Sequence, residues 1–336
     1  YYAKDNSISI KDDGRGIPID KHKKFKNKSA LEVVLTTLHA GGKFNQKIYN
    51  TSGGLHGVGL SVVNALSENL EVKVFKKGHE YFQKYKKGKP VTKLKKIKSK
   101  IKSRGTEIIF QPDREIFNNL NFKADKIFEL LKIKSYLVKG LIINWNCKLK
   151  NLNNTIPNKK TFHFINGIKD FVKDISIKKT SLFDDLYYDE IKLENFDNKI
   201  EIVAKFNQEE NNYLSTFCNS IPTNNGGTHE NAIRTSLIKA ILLYGKHNQI
   251  KKISNISSVD LFNFTDIILS LYIQNPIFEG QTKQKLFMPK IQSMLEKKII
   301  DSFSLWLSRN KKNAKKLIEV LIERSLLRSN LNRIQD

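Results

Sequence analysis

Four glycines fall within seven positions, Gly53, Gly54, Gly57 and Gly59, in the run TSGGLHGVGL. Glycine at that density widens the unfolded ensemble and is entropically costly, so the chain gains something there that a Cβ would deny. A glycine loop feeding a helix N-terminus presents free backbone N–H groups and the positive end of the helix dipole, a combination suited to a phosphate. The order Gly54-x-x-Gly57-x-Gly59 is not the G-x-G-x-x-G of a dinucleotide fold. Nor is it a P-loop, because Gly59 is followed by Leu60-Ser61 and not by Lys-Ser/Thr. Taken alone, the stretch reads first as a flexible turn before an ordinary helix, and the phosphate cradle needs the context of the other motifs.

Three further runs carry compatible chemistry. DDGRGIP at 12–18 places a carboxylate at a strand end, followed by glycines. Asp12 can accept a hydrogen bond from an exocyclic amine while Gly14 and Gly16 leave room for a flat ring; alone, the run is a tight turn with an Asx cap. HAGGKF sets Lys43 on a Gly-Gly hinge, as a lid over phosphates requires, and GTEIIF opens a strand with the small hydroxyl of Thr106.

The elements that must position these groups alternate unevenly. Ser7–Ile10 alternates like a strand and runs into the DDGRGIP turn. Ser29 and Glu32 form a capping-box pattern that predicts a helix carrying Leu31, Val34, Leu35 and Leu38 and ending at Gly41-Gly42. A second helix is expected over 58–69, strands and hairpins over 70–110, a helix near 124–138 and strands at GLIINWNCKLK and TFHFI. The lysine-rich run at 73–104 interleaves with Val, Phe, Tyr and Ile as the wet face of an antiparallel hairpin does. A polar tract at 151–160 puts a domain boundary near 166, giving domains at 1–165 and 166–336. Beyond it lie a short helix (GIKDFVKDI), strands at KIEIVAKF and YLSTFCNSIPT, a helix NAIRTSLIKAILLYG ending on Gly245, the strand DIILSLYI and two C-terminal helices. Hairpins mixed with helices indicate an α+β class and exclude strict βαβ repeats.

Composition narrows the class. The chain has 336 residues, 39% of them hydrophobic, enough for two cores. No run approaches eighteen apolar residues, which excludes a membrane span. The N-terminal residues resemble neither a signal peptide nor a chain start, and an N-terminally incomplete domain is expected. Cys147 and Cys218 stand far apart without metal-ligand spacing, which points to a reduced compartment and no structural zinc. Lys and Arg number 59 against 33 Asp and Glu, for a formal charge of +26. Such an excess fits a polyanion partner, DNA or RNA, and equally a chain rich in Lys, Asn and Ile throughout.

In order and at family-like spacing, DDGRGIP, LHAGGKFNQKIYNTSGGLHGVGLSVVNALSENLEV, GGTHENAIR and FEGQTKQKL resemble the GHKL (Bergerat-fold) ATPases. More specifically they resemble the B subunits of type II DNA topoisomerases, nearer the topoisomerase IV branch than the gyrase branch. The resemblance spans essentially the whole chain. It implies a Bergerat α/β sandwich followed by a ribosomal-protein-S5-like transducer domain, with ATP and Mg²⁺ as cofactors. Matched motif by motif, Asp12 would bind adenine, flanked by Arg15, Gly16, Ile17 and Pro18, with Thr106 supporting the base through a water. Lys43 and the segment Gly54, Leu55, His56, Gly57, Val58, Gly59 and Leu60 would form the lid and phosphate cradle. Gln281 and Lys283 would supply the QTK loop, whose lysine reaches the γ-phosphate when the domains close. Implied partners are DNA, a topoisomerase A subunit and a second copy of the chain on ATP binding, in a cytoplasmic, nucleoid-associated setting without a membrane.

The chain also departs from the family. The general-base glutamate and the Mg²⁺-binding asparagine belong upstream of DDGRGIP, where eleven residues precede Asp12. No acidic cleavage-domain motif follows the transducer. Weak or absent hydrolysis is therefore expected of this chain alone, and an inert DNA- or partner-binding role is the competing reading. Phe82 falls where gyrases often carry an arginine that contacts aminocoumarins, so weak binding of such drugs is expected.

Overall fold

The computed structural model describes residues 5–22, 24–25, 27–40, 57–98, 103–149, 156–193 and 198–335, with the side chains of 332–335 left aside. Two compact units emerge. The first runs to Lys132 and takes up Ile142–His163; the second comprises Ile133–Leu141 and everything from Phe164 onward.

In the first unit the elements are β1 (Ile8–Lys11), α1 (Ala30–Thr36), α2 (Gly59–Ala65), β2 (Ser67–Lys76), β3 (His79–Lys86), β4 (Lys89–Pro90), β5 (Lys95–Lys98) and β6 (Gly105–Pro112). There follow α3 (Ala124–Leu137), whose last residues belong to the second unit, and the hairpin of β7 (Ile142–Asn146) and β8 (Lys159–His163). The main sheet runs β1-β6-β2-β3-β4 with β5 on β3, each pair antiparallel. Leu70, Val72 and Val74 of β2 alternate inward and pack with Leu31 and Leu35 of α1 and with Tyr85. The opposite face is wet, with Lys73 bridging Glu71 (3.4 Å) and Glu107 (3.8 Å). This is the alternation expected of a sheet buried on one side.

The second unit holds α4 (Ile168–Ile175), β9 (Tyr187–Lys192), β10 (Lys199–Phe206), β11 (Leu214–Cys218), β12 (Ile221–Pro222), α5 (Thr228–His247), α6 (Ser258–Phe262), β13 (Thr265–Tyr272), α7 (Pro289–Arg309) and α8 (Lys311–Gln335). Its sheet runs β12-β11-β13-β10-β9, with β11 and β13 parallel and the other pairs antiparallel. Val203, Phe217 and Ile268 meet α4 on one face, while Ile202, Ile267 and Leu269 join Leu237, Ile241, Leu295 and Phe303 on the other. Burial on both faces explains why β10 and β13 read as near-continuous apolar runs.

Several sequence expectations are corrected. α1 stops at Thr36 and buries Val33 with Leu31 and Leu35, while Leu38 is exposed. Ser29 does cap it, accepting from the Glu32 N–H at 3.1 Å, but the Glu32 carboxylate instead accepts from Gln83 Nε2 (3.1 Å). α2 ends at Ala65, not at 69, because the inward alternation of β2 takes over at once. Gly245 does not terminate α5: it is buried inside the helix, where a Cβ would run into the Ile253 side chain. β9 was not anticipated.

Candidate nucleotide site

The DDGRGIP turn hangs from the end of β1. The Asp12 N–H donates to the Thr106 carbonyl (2.8 Å), carrying the β1–β6 ladder one residue past the strand. The Gly14 N–H then donates to Asp12 Oδ1 (2.8 Å), an Asx turn that fixes the carboxylate and leaves Oδ2 to other donors. Asp12 is exposed, so the held carboxylate stands open to a ligand.

Thr106 is buried at 4% exposure, yet its hydroxyl oxygen accepts from the Ile17 N–H at 3.2 Å. One hydroxyl thereby ties β6 to the returning arm of the turn and keeps its own proton for a further acceptor. Gly16 lies against Val74 and Gly105, and Ile17 joins the apolar cluster under α1. Arg15 and Pro18 lie on the same turn, and both are exposed. Asp12, Gly16, Ile17 and Thr106, separated by about ninety residues, are thus brought together.

Gly57, Val58, Gly59 and Leu60 form the entry to α2. Gly57 has φ +60, Val58 is the N-cap residue without a side-chain cap, and Leu60 packs onto the cluster under α1. Among the described residues a Cβ at Gly59 would meet nothing within 4 Å, so their packing does not demand glycine there. α2 is held from below by Asn64, fully buried, whose Nδ2 donates to the Leu35 carbonyl (2.9 Å) and the Gly88 carbonyl (3.2 Å). Lys43, Gly54, Leu55 and His56 lie outside the described residues.

In the second unit, Gln281 and Lys283 sit on a loop between β13 and α7; Gln281 is exposed and Lys283 adopts φ +59. Phe82 sits on the wet face of the first unit's sheet, paired with Lys73 and Lys95, and the Lys95 ammonium lies 5.9 Å from its ring centre. Gly105 and Asn64 were missed as positioning residues by sequence reasoning. Gly105 heads the GTEIIF run, a signal that could have marked it, whereas nothing local marks Asn64.

No group of three or more His, Cys, Asp or Glu side chains among the described residues could hold a metal ion. No described helix is long and apolar enough to cross a membrane.

Residues 2–116 match the family of histidine kinase-, DNA gyrase B- and HSP90-like ATPases, and residues 167–336 match DNA gyrase B. This chain belongs to the DNA gyrase B family. It is 41% identical over 320 residues to the B subunit of DNA topoisomerase 4 from Rickettsia bellii, covering 95% of this chain and 48% of that protein. It therefore spans about half the length of the curated relatives it matches. Among solved structures it resembles the 43K ATPase domain of Thermus thermophilus gyrase B in complex with an aminocoumarin. That match has a TM-score of 0.78 and 27% identity, covering 99% of this chain and 84% of the other. The ATP-binding domain of topoisomerase IV of Francisella tularensis, in complex with a small-molecule inhibitor, matches with a TM-score of 0.76 and 29% identity over 97% of this chain and 85% of that one. The family membership and the α+β GHKL fold expected from the motifs are both borne out.

Proposed function

We propose that this chain is the ATP-binding and transducing part of a type II DNA topoisomerase B subunit of the topoisomerase IV branch. It couples ATP binding and hydrolysis to closure of a DNA gate and passage of a second duplex. The observation that carries the reading is the Asp12 carboxylate held by Gly14 beside the Thr106–Ile17 bond. Asp12 Oδ2 accepts from an exocyclic amine, and the Thr106 hydroxyl proton serves a ring nitrogen through a water. Gly16, Ile17 and Pro18 border the ring, and Arg15 flanks it. The backbone at Gly57–Leu60, with open space at the Gly59 Cα, suits close approach of phosphate oxygens. Lys43, with Gly54, Leu55 and His56, completes the lid and cradle by the same motif match, and Gln281 and Lys283 take the terminal phosphate.

Residues 1–165 then act as the ATPase domain and 166–336 as the transducer. When the γ-phosphate leaves, Lys283 loses its charge partner, which biases a two-state element toward the open form. Partners consistent with this reading are DNA, drawn by the +26 formal charge, an A subunit and a second copy of the chain. The gyrase reading is not adopted, given the similarity to the DNA topoisomerase 4 relatives.

Calorimetric titration with a non-hydrolysable ATP analogue tests the site. Asp12→Asn should weaken binding at least about tenfold, roughly 1.4 kcal/mol. Unchanged affinity in that variant would overturn the assignment. For the whole reading, DNA-stimulated ATP hydrolysis by the full-length protein with its A subunit must exceed the DNA-free rate.

A further inference from the structure

The GGTHE run at 226–230 matches a family motif yet supplies none of the nucleotide contacts assigned above, and its role is legible from the loop it touches. The loop at 277–287 is closed on itself by Phe287 N–H donating to Ile277 O (2.8 Å), by Glu279 N–H donating to Lys285 O (2.9 Å) and by a Glu279–Lys285 ion pair (3.1 Å). Its descending arm is clamped. The Asn225 N–H donates to Gln284 O (2.9 Å), the Leu286 N–H to Gly226 O (3.1 Å), the Thr228 N–H to Leu286 O (3.0 Å), and the Met288 N–H to Thr228 Oγ1 (2.9 Å). The approach is so close that a Cβ at Gly227, which has φ +128, would stand 2.6 Å from the Leu286 nitrogen.

The clamp is itself anchored to the sheet. The Gly226 N–H donates to Thr223 O (2.8 Å), and Thr223 answers Thr216 of β11 through its N–H (2.9 Å) and its hydroxyl (2.8 Å), both donated to Thr216 O. With its one proton so used, Thr223 Oγ1 accepts from His229 Nε2–H at 2.9 Å. His229 is fully buried, and its Nδ1 has no hydrogen-bond partner among the described residues. A bare ring lone pair is the cheaper orphan than a buried N–H would be.

We propose that the segment Thr223–His229 is a positioning element for the Gln281–Lys283 loop, holding it as one body with β11 and the first turn of α5. The idea rests on the reading of Lys283 as the terminal-phosphate contact. Lys283 lies on the same short loop as the clamped Leu286, and α7 begins at Pro289, directly beyond Met288. A force on the Lys283 loop is therefore delivered to the N-termini of both α5 and α7, long helices that pack together in the unit's core.

The test compares affinities of the full-length protein for a non-hydrolysable ATP analogue and for ADP. Lys283→Ala should weaken the analogue at least about tenfold and leave ADP unchanged. Thr228→Val, which keeps the shape and removes the hydroxyl, should reproduce that selective loss at about fivefold or more, with Thr228→Ser restoring it. Gly227→Ala should do the same more severely. If Lys283→Ala shows no selective loss, the phosphate reading fails. If Lys283→Ala is selective while Thr228→Val and Gly227→Ala match the wild type, the positioning proposal fails. Hydrogen exchange gives an independent check: Thr228→Val should speed exchange of the Met288 amide while the β10 amides stay protected, and an unaltered Met288 amide overturns the clamp.

Discussion

Gly105 packs its Cα directly against the backbone of Asp12: a Cβ there would stand 2.6 Å from the Asp12 carbonyl carbon and 2.9 Å from Asp13 Cα. Together with φ +116 at Gly105, this contact fixes where the segment carrying the Asp12 carboxylate begins its turn. Gly105→Ala should therefore cost about 2 kcal/mol or more in stability. It should also weaken the ATP analogue at least about tenfold. Urea denaturation and calorimetry read the two effects, and wild-type values in both would remove Gly105 from the site.

Thr106→Val keeps the side-chain shape and leaves the Ile17 N–H without its acceptor. The expected loss is about 1–3 kcal/mol, the cost of an unsatisfied buried donor. Thr106→Ser should recover most of it. Equal unfolding midpoints for the Val variant and the wild type would show that the bond contributes nothing.

Lys179 Nζ lies 2.6 Å from Asp266 Oδ1, and Asp266 is fully buried. Ser176 and Asn207 also donate to this carboxylate, at 2.7 and 2.9 Å. Lys179→Met should destabilise the second unit by about 3 kcal/mol, since it strands a buried carboxylate on two neutral donors. The double variant Lys179→Met/Asp266→Asn should be less damaging than Lys179→Met alone, which a chemical denaturation series decides.

Burial drives the His229 pKa down to about 3 from its ordinary 6.5. The unfolded chain takes up this proton near pH 6.5, whereas the folded chain refuses it until about pH 3. Its contribution to stability is complete above the upper value and is lost as pH falls through that window. The slope from one proton is at most about 1.4 kcal/mol per pH unit. His229→Gln should show a shallower decline between about pH 6.5 and 4.5 by that amount. Parallel curves for the two proteins would mean that His229 is not held neutral.

Periodicity and punctuation were enough to locate most elements, because each is encoded within a few residues. Leu31 and Leu35 share a helix face, and β10 and β13 are rich in apolar residues because both faces of their sheet are covered. The motif residues Asp12, Gly16 and Thr106 were legible as a group through their family wording. What lay beyond reach was every decision made by a distant partner. α2 ends where β2 claims its chain for the sheet, and Gly245 stays helical because Ile253 needs the space of a missing Cβ. Glu32 leaves its own helix end for Gln83, fifty-one residues away. The clamp of Thr228 on Met288 spans sixty residues, and neither run, read locally, names the other. Local patterns record which face of an element is apolar, whereas close backbone approach and buried hydrogen bonds depend on which surfaces meet, and only the tertiary structure decides that.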